Sequence, residues 1–128
     1  MRKLTILFAA ALLCGCHNTL TLTQEESGKT VILSAGETAA IQLPENPTTG
    51  YSWEFFPEPE NQNVIGNIKE EYTQDKAEAG MVGVGGTKTY SFVAKQSGNI
   101  TIKGYYYRPW ENKDTGSAAT VSYKIEVH

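Results

Sequence analysis

Short runs in which apolar and polar residues alternate recur through most of this chain of 128 residues. Alternation with a period of two places successive side chains on opposite faces, which is typical of a β-strand with one buried face. Turn residues such as Ala35–Glu37 and Gln96–Asn99 separate the runs, at intervals of about eight to twelve positions. The pattern predicts an all-β fold, an Ig-like antiparallel β-sandwich of seven or eight strands.

The cleanest alternation is in the C-terminal run, residues 120–127. Other strands are predicted near Leu20 and over residues 30–34, 38–43, 51–56, 63–72, 87–95 and 100–107. The predicted core side chains include Trp53, Tyr90, Phe92, Ala94, Ile100, Ile102, Tyr106, Val121, Tyr123, Ile125 and Val127. For the run at 63–72, the predicted anchors are Val64, Ile68 and Tyr72, with a bulge at Gly66.

The first fifteen residues predict a signal peptide rather than a part of the folded domain. A basic start at Arg2 and Lys3 precedes an apolar run at 4–13, which is too short to span a bilayer as a permanent helix. The next residues, ending in LCGC, resemble a bacterial lipobox, which implies that Cys16 becomes the first mature residue and carries acyl chains, palmitate among them. An ordinary cleaved signal with two incidental cysteines is the alternative.

By the same resemblance, His17 in the position after the cysteine implies the outer membrane. The protein would then be lipid-anchored in the cell envelope and would face the periplasm or the exterior. Residues 16–29 are expected to form a lipidated N-terminus and tether, and residues 30–128 the Ig-like domain. The alternation of Leu20 and Leu22 with threonines leaves open whether a first strand begins before residue 30.

Charge and cysteine content restrict the function classes. The full sequence has a formal net charge of −3, and loss of Arg2 and Lys3 with the signal makes the mature chain more acidic. Such a chain offers no positive field to phosphates, so we expect no nucleic acid partner. Both cysteines lie within the first sixteen residues, so the domain, which we expect to be a monomer, has to be stabilised by its hydrophobic core.

The domain lacks the residues that most catalytic and metal sites require. His17 and His128 lie at the extreme ends of the mature chain, where nothing holds an imidazole in a pocket, and the domain has no cysteine nucleophile or zinc ligand. The acidic pairs at 25–26 and 70–71 are adjacent, and adjacent strand side chains face opposite ways. A glycosidase dyad would therefore have to come from distant acids. We predict no enzyme, no metal and no cofactor.

A distinctive turn joins the predicted strands at 38–43 and 51–56. Asn46 and Pro47 open it, because proline fixes φ and keeps the preceding residue out of the helical region. Gly50 can adopt the positive φ that closes such a turn, and Thr48 and Thr49 lie at its tip. Taken alone, the motif fits a well-formed turn as well as it fits a binding loop.

Two further loops contain residues that a simple turn does not need. Residues 81–86 combine three glycines with apolar side chains, and residues 108–110 place a tryptophan after a proline. Arginine and tryptophan are enriched at binding hot spots. Because alternate interstrand loops of a Greek-key sandwich emerge at one end, we expect the three loops to cluster. The alternatives are that Trp110 folds back on the sheet and that the glycine segment is only a poorly packed connection.

The three loops contain the sequences NPTTGY, GVGG and RPW, which resemble the motifs of chagasin-type inhibitors of papain-family cysteine peptidases over about residues 30–128. The resemblance implies that loops 46–51, 81–87 and 108–112 form a wedge for the peptidase cleft and inhibit it sterically and reversibly. The two threonines would lie nearest the catalytic cysteine and histidine, with the glycine segment and the tryptophan along the two walls. The implied peptidase-binding residues are Asn46, Pro47, Thr48, Thr49, Gly50, Tyr51, Gly83, Val84, Gly85, Gly86, Arg108, Pro109 and Trp110.

The leading hypothesis is therefore a membrane-tethered, reversible inhibitor of papain-like cysteine peptidases. The alternative is an envelope lipoprotein that binds a glycan or a protein partner through an aromatic platform of Tyr105, Tyr106, Tyr107 and Trp110. A purely structural envelope protein, in which none of the three loops matters, is a third hypothesis. Substitution of the two threonines separates the first two, because only an inhibitor needs them.

Overall fold

Eight strands in two four-stranded sheets make up most of the computed structural model, which describes residues 19–76 and 84–128. The strands are β1 (Thr19–Leu22), β2 (Thr30–Leu33), β3 (Thr38–Glu45), β4 (Ser52–Pro57), β5 (Ile65–Gln74), β6 (Gly86–Ala94), β7 (Gly98–Tyr107) and β8 (Ala119–Val127). Short 3-10 helices at Gln24–Glu26, Pro47–Thr49 and Pro59–Val64 and one α-helical turn, α1 (Lys113–Gly116), lie in the connections. The predicted all-β class is confirmed.

The two sheets have the strand orders β1-β3-β6-β5 and β2-β8-β7-β4. Neighbours are antiparallel except at one edge of each sheet, where β1 pairs with β3 and β2 pairs with β8 in parallel. Between β1 and β2 the chain turns through Gln24–Glu26 and passes from one sheet to the other, so these two consecutive strands do not pair with each other. The sandwich is thus antiparallel at its centre, as predicted, and parallel at these two edges.

The core lies between the sheets and consists of the inward-facing members of the alternating runs. Trp53 is buried there, as predicted, and so are the predicted side chains of β6, β7 and β8, with Tyr106 partly buried against them. Burial raises the pKa of Tyr90 and of Tyr123 to about 12. Both phenols therefore stay protonated in neutral solution, and the hydroxyl of Tyr123 donates to the carbonyl of Thr23 at 2.7 Å.

The N-terminal boundary of the domain lies earlier than residue 30, where the sequence led us to expect it. Thr19–Leu22 pairs with Thr38–Ile41 of β3, and Leu22 is only 2% exposed within the core. Residues 19–29 therefore belong to the sandwich and not to a tether, since their removal would uncover core side chains. Residues 1–18, including Cys16, lie outside the described residues.

The anchors predicted for β5 are only partly correct. Val64 is buried just ahead of the strand, whereas Ile68 and Tyr72 are exposed. The predicted bulge at Gly66 is confirmed, because the pairing of β5 with β6 shifts register between Gly66 and Lys69. Beyond the shift β5 continues as an edge strand whose side chains face solvent, which explains the exposure of the two wrongly predicted anchors. No helix among the described residues is long and apolar enough to cross a membrane.

Candidate functional site

Three connections emerge at the same end of the sandwich, which we call the loop pole. They are the first loop (residues 46–51), the second loop (75–85) and the third loop (108–118). The register shows the shared position. The last residues of β3 and β5 both pair with Gly86, the first residue of β6, and Ser52, the first residue of β4, pairs with Tyr107, the last residue of β7. The clustering expected from the sequence is confirmed for the described parts of the loops. Gly83 and the two residues before it lie outside the described residues.

The first loop is held in shape by its own side chains. The Asn46 side-chain oxygen accepts hydrogen bonds from the Thr48 amide at 3.2 Å and from the Thr48 hydroxyl at 2.6 Å. The Thr49 hydroxyl donates to the Asn46 carbonyl at 2.7 Å. Pro47 begins the 3-10 turn, and Gly50 ends it with a φ of 86°, in the left-handed region that favours glycine. Both threonine hydroxyls thus donate inside the loop, which restricts its motion before any partner binds.

A buried glutamate fixes the base of the first loop. Glu45 is 6% exposed and is the only buried charged residue in the part of the chain that the structure describes. Its carboxylate accepts from the Trp53 amide at 2.8 Å, and the Trp53 indole donates to the Pro44 carbonyl at 2.9 Å. The backbone amide of Asn46 donates to the Tyr106 hydroxyl at 3.0 Å. The buried position of Glu45 was not predicted from the sequence, although Glu45 shares the inward parity of Ile41 and Leu43 on the same strand.

The third loop rests on the first loop. The Arg108 side chain donates from Nε to the Thr49 carbonyl at 3.2 Å, and its guanidinium carbon lies 4.4 Å from the centroid of the Tyr51 ring. The Trp110 ring lies against Gly50, where an added Cβ would be 2.8 Å from its Cη2 atom. Trp110 is nevertheless 72% exposed, so it does not fold back on the sheet. The two loops therefore form one projecting unit.

A stack of aromatic rings joins this unit to the core. Ring centroids lie 5.3 Å apart between Tyr51 and Tyr106, 5.0 Å between Tyr106 and Trp53, and 6.4 Å between Trp53 and Phe55. The ring contacts continue from Phe55 to Tyr90 at 4.6 Å and from Tyr90 to Phe92 at 6.2 Å, in tilted arrangements. Stacked aromatic pairs add to the stability that their burial provides. The loop pole is thus braced from the middle of the sandwich.

The directions of the three tyrosine side chains on β7 are incompatible with the aromatic platform that the alternative hypothesis requires. Along β7, Tyr106 faces the core, whereas Tyr105 packs edge-on against Phe56 at 5.6 Å and Tyr107 donates to the Glu54 carboxylate. Neighbouring strand residues point to opposite faces, so the three tyrosines cannot form one flat surface with Trp110. The glycan-binding hypothesis therefore finds no support here.

The described end of the second loop lies beside the first loop. The Asp75 amide donates to the Gly85 carbonyl at 2.9 Å, and an added Cβ at Gly85 would be 3.2 Å from the Glu45 carbonyl. Gly86 is buried in β6, where a Cβ would collide with the Thr73 carbonyl, so this glycine is required by strand packing. Between the two loops lies a shallow cavity of about 290 Å³, lined by Pro44, Glu45, Asn46, Asp75, Gly85, Gly86 and Tyr106.

Two acidic side chains that line this cavity, Glu45 and Asp75, act on a neighbouring phenol. Local desolvation of the Tyr72 hydroxyl, which lies close to Gly86, raises its pKa although the side chain as a whole is exposed, and the negative charges of Glu45 and Asp75 raise it further. That phenol therefore stays neutral in ordinary solution. Residues 19–76 and 84–128 contain no group of three or more His, Cys, Asp or Glu side chains that could hold a metal ion.

Comparison with known proteins shows which family the chain belongs to. A family model described as "Chagasin family peptidase inhibitor I42" matches residues 32–127. The chain belongs to this family. It is 32% identical to chagasin from Trypanosoma cruzi over 92 residues, which are 70% of this chain and 81% of chagasin. Membership confirms the resemblance seen in the three loop sequences and the prediction that the protein is not an enzyme.

Solved structures of similar proteins agree with the chagasin-family assignment. The cysteine protease inhibitor EhICP2 from Entamoeba histolytica superposes with a TM-score of 0.73 at 26% identity, covering 86% of this chain and 96% of EhICP2. PbICP-C, solved in complex with falcipain-2, gives a TM-score of 0.53 at 25% identity, covering 88% of this chain and 91% of PbICP-C. The chain thus spans nearly the full length of both structures.

Proposed function

We propose that this chagasin-family protein is a reversible inhibitor of papain-family cysteine peptidases and that its three loops enter the active-site cleft as one wedge. The observation that carries the proposal is the contact between the first and third loops, in which Arg108 binds the Thr49 carbonyl and Trp110 covers Gly50. The capture of the similar PbICP-C with falcipain-2 supports the choice of partner.

The backbone of the first loop explains how such a wedge fills a peptidase cleft without being a good substrate. Extended peptides pair with a binding cleft through their backbone groups, but Pro47–Thr49 is a 3-10 turn, and Pro47 has no amide hydrogen. The tip therefore cannot lie along the cleft as an extended strand. Because Asn46, Thr48 and Thr49 already bond to one another, little conformational entropy is lost on docking.

Different parts of the loop pole suit different parts of the cleft. In the proposed complex the tip at Thr48 and Thr49 lies over the catalytic cysteine and histidine. The exposed ring of Trp110 packs on one wall, and Val84 and Gly85 approach the other wall with little side-chain bulk. Arg108 acts mainly within the inhibitor, since it already bonds to Thr49 and lies 3.8 Å from the Glu111 carboxylate.

Titration of papain with the soluble domain, residues 17–128, tests the proposal. We expect loss of peptidase activity in a one-to-one ratio, restored after dilution, and much weaker inhibition by the triple variant Thr48→Ala, Thr49→Ala, Trp110→Ala. The matched control is Ile32→Ala, an exposed position away from the loop pole, which should inhibit like the unchanged domain. No inhibition of papain or of two cathepsin-type peptidases at micromolar domain would overturn the proposal.

We also propose that the protein is a lipoprotein, anchored through Cys16 in the outer membrane after removal of residues 1–15. The lipobox-like sequence at 13–16 and the basic and apolar residues before it support this. Expression of the full chain in a bacterium should give a product whose N-terminal peptide carries diacylglyceryl and acyl groups on Cys16, and which enters the detergent phase on partition. A mature chain that begins at Cys16 and carries no lipid by mass spectrometry would overturn the anchor.

A further inference from the structure

We infer that the anchored protein faces the membrane with the end of the sandwich opposite the loop pole, so that the peptidase-binding wedge points away from the lipid. We call this opposite end the anchor pole, defined by Leu20, Ile32 and the turn at 34–37. The inference rests on the proposed lipid at Cys16. It does not depend on which peptidase is bound.

The strand order places the start of the domain at the anchor pole. In the parallel pair of β1 and β3, Thr19 lies opposite Thr38, the first residue of β3. β3 then runs its full length to Glu45, directly before the first loop. Its eight residues span about 23 Å at the usual rise of a strand. The chain therefore enters the fold roughly that distance from the wedge.

The chain between the lipid and the fold is too short to reverse this arrangement. Two residues, His17 and Asn18, separate Cys16 from Thr19. Three Cα-to-Cα steps reach at most about 11 Å when fully extended, which is less than half the length of β3. An inverted orientation, with the first loop on the lipid and Thr19 far above it, is thus excluded for an anchored chain.

The anchor pole carries exposed apolar side chains that suit a lipid surface. Leu20 is 43% exposed and Ile32 is 65% exposed. They lie on a shallow cavity of about 290 Å³ that is also lined by Thr19, Leu33, Glu37 and Thr38. The Glu37 carboxylate accepts from the Ser34 amide at 2.7 Å, so it is held within the turn. Because the anchor holds this pole within about 11 Å of the bilayer, we assign the bilayer as the partner that covers Leu20 and Ile32.

Fluorescent labels at the two poles test the orientation. Cys14 leaves with the proposed signal and Cys16 is alkylated by the lipid, so an introduced cysteine becomes the only free thiol of the mature chain. The full chain is expressed with its own signal and placed in phosphatidylcholine vesicles. A polarity-sensitive dye is attached at Ile32→Cys or Ala35→Cys at the anchor pole, or at Asp114→Cys in the third loop, at the loop pole. Ala35→Cys leaves Ile32 in place.

Vesicles with and without nitroxide-labelled lipid headgroups give the readout. We expect strong quenching by nitroxide lipid at positions 32 and 35 and weak quenching at position 114. Equal quenching at all three positions, or stronger quenching at position 114, would overturn the inference. A mature chain without lipid by mass spectrometry would overturn it together with the anchor. Inhibition of papain by the soluble domain is decided separately, because that domain lacks Cys16.

Discussion

Two independent features favour glycine at position 50: the backbone conformation and the contact with Trp110. Its φ of 86° is one that side chains with a Cβ rarely adopt, and an added Cβ would press on the Trp110 ring at 2.8 Å. Gly36 has a similar φ of 97°, but an added Cβ there meets nothing within 4 Å. A residue with a Cβ would thus be strained at both positions, but only at Gly50 would that Cβ collide with a neighbouring side chain.

Gly50→Ala should therefore change function as well as stability, whereas Gly36→Ala should change stability alone. We predict that each substitution lowers the free energy of unfolding by about 1 kcal/mol or more, because alanine is strained at positive φ. Only Gly50→Ala should raise the inhibition constant for papain, since it displaces Trp110. Denaturation and inhibition measured on both variants check this, and equal inhibition constants would contradict the role given to the Gly50–Trp110 contact.

Glu45 provides a second test at the scale of a single residue. Glu45→Ala leaves the buried Trp53 amide without its acceptor, which should cost about 1–3 kcal/mol of unfolding free energy. Glu45→Gln keeps an acceptor oxygen and should lose less. Urea denaturation measures both, with the exposed Glu60→Ala as the control. A Glu45→Ala variant as stable as Glu60→Ala would show that the carboxylate does not hold the base of the first loop.

At the scale of the strands, the sequence predicts well wherever one face is fully buried. Alternation identified the inward residues of β6, β7 and β8, because in these strands every second side chain enters the core. It failed for Ile68 and Tyr72, since β5 is an edge strand with a shift in register. Alternation shows which face of a strand is buried but not which strands pair with each other. The parallel pairs β1–β3 and β2–β8 were therefore not predictable from it.

The early start of the domain leads to a prediction for β1. Leu22→Ala should lower the free energy of unfolding by about 2–5 kcal/mol, as for other fully buried leucines. Leu20→Ala, on the same strand but 43% exposed, should cost much less. Thermal or urea denaturation of the soluble domain compares the two. Similar small effects would mean that β1 does not contribute to the core.

For the candidate site, the loop sequences predicted which segments meet, but not how they are held. The Asn46–Tyr51 sequence carries the signals for a proline-opened, glycine-closed turn, and the structure contains that turn. The packing of Arg108 on Tyr51 and of Trp110 on Gly50 depends on contacts between distant parts of the chain, which no local pattern specifies. Whether the loop residues contact a peptidase stays a prediction.

At the scale of the whole molecule, the two buried tyrosines predict a loss of stability in alkaline solution. Burial raises the pKa of Tyr90 and of Tyr123 from 10.0 to about 12, so the folded state binds protons more tightly than the unfolded state. The stability that this provides is present below pH 10 and is lost as the pH rises from about 10 towards 12. Urea denaturation across this range should show the decline, and Tyr90→Phe should reduce its slope. An unchanged slope in Tyr90→Phe would contradict the role of that buried phenol.

In the proposed complex the loop pole covers the catalytic cysteine of a papain-family peptidase. The most direct measurement is the rate at which iodoacetamide alkylates that cysteine in papain, with and without saturating soluble domain. We predict that alkylation slows in proportion to the fraction of peptidase bound and that it recovers with the triple variant of the two threonines and Trp110. Alkylation at the full rate while substrate hydrolysis is inhibited would contradict coverage of the catalytic cysteine by the loop pole, because the domain would then bind elsewhere on the peptidase.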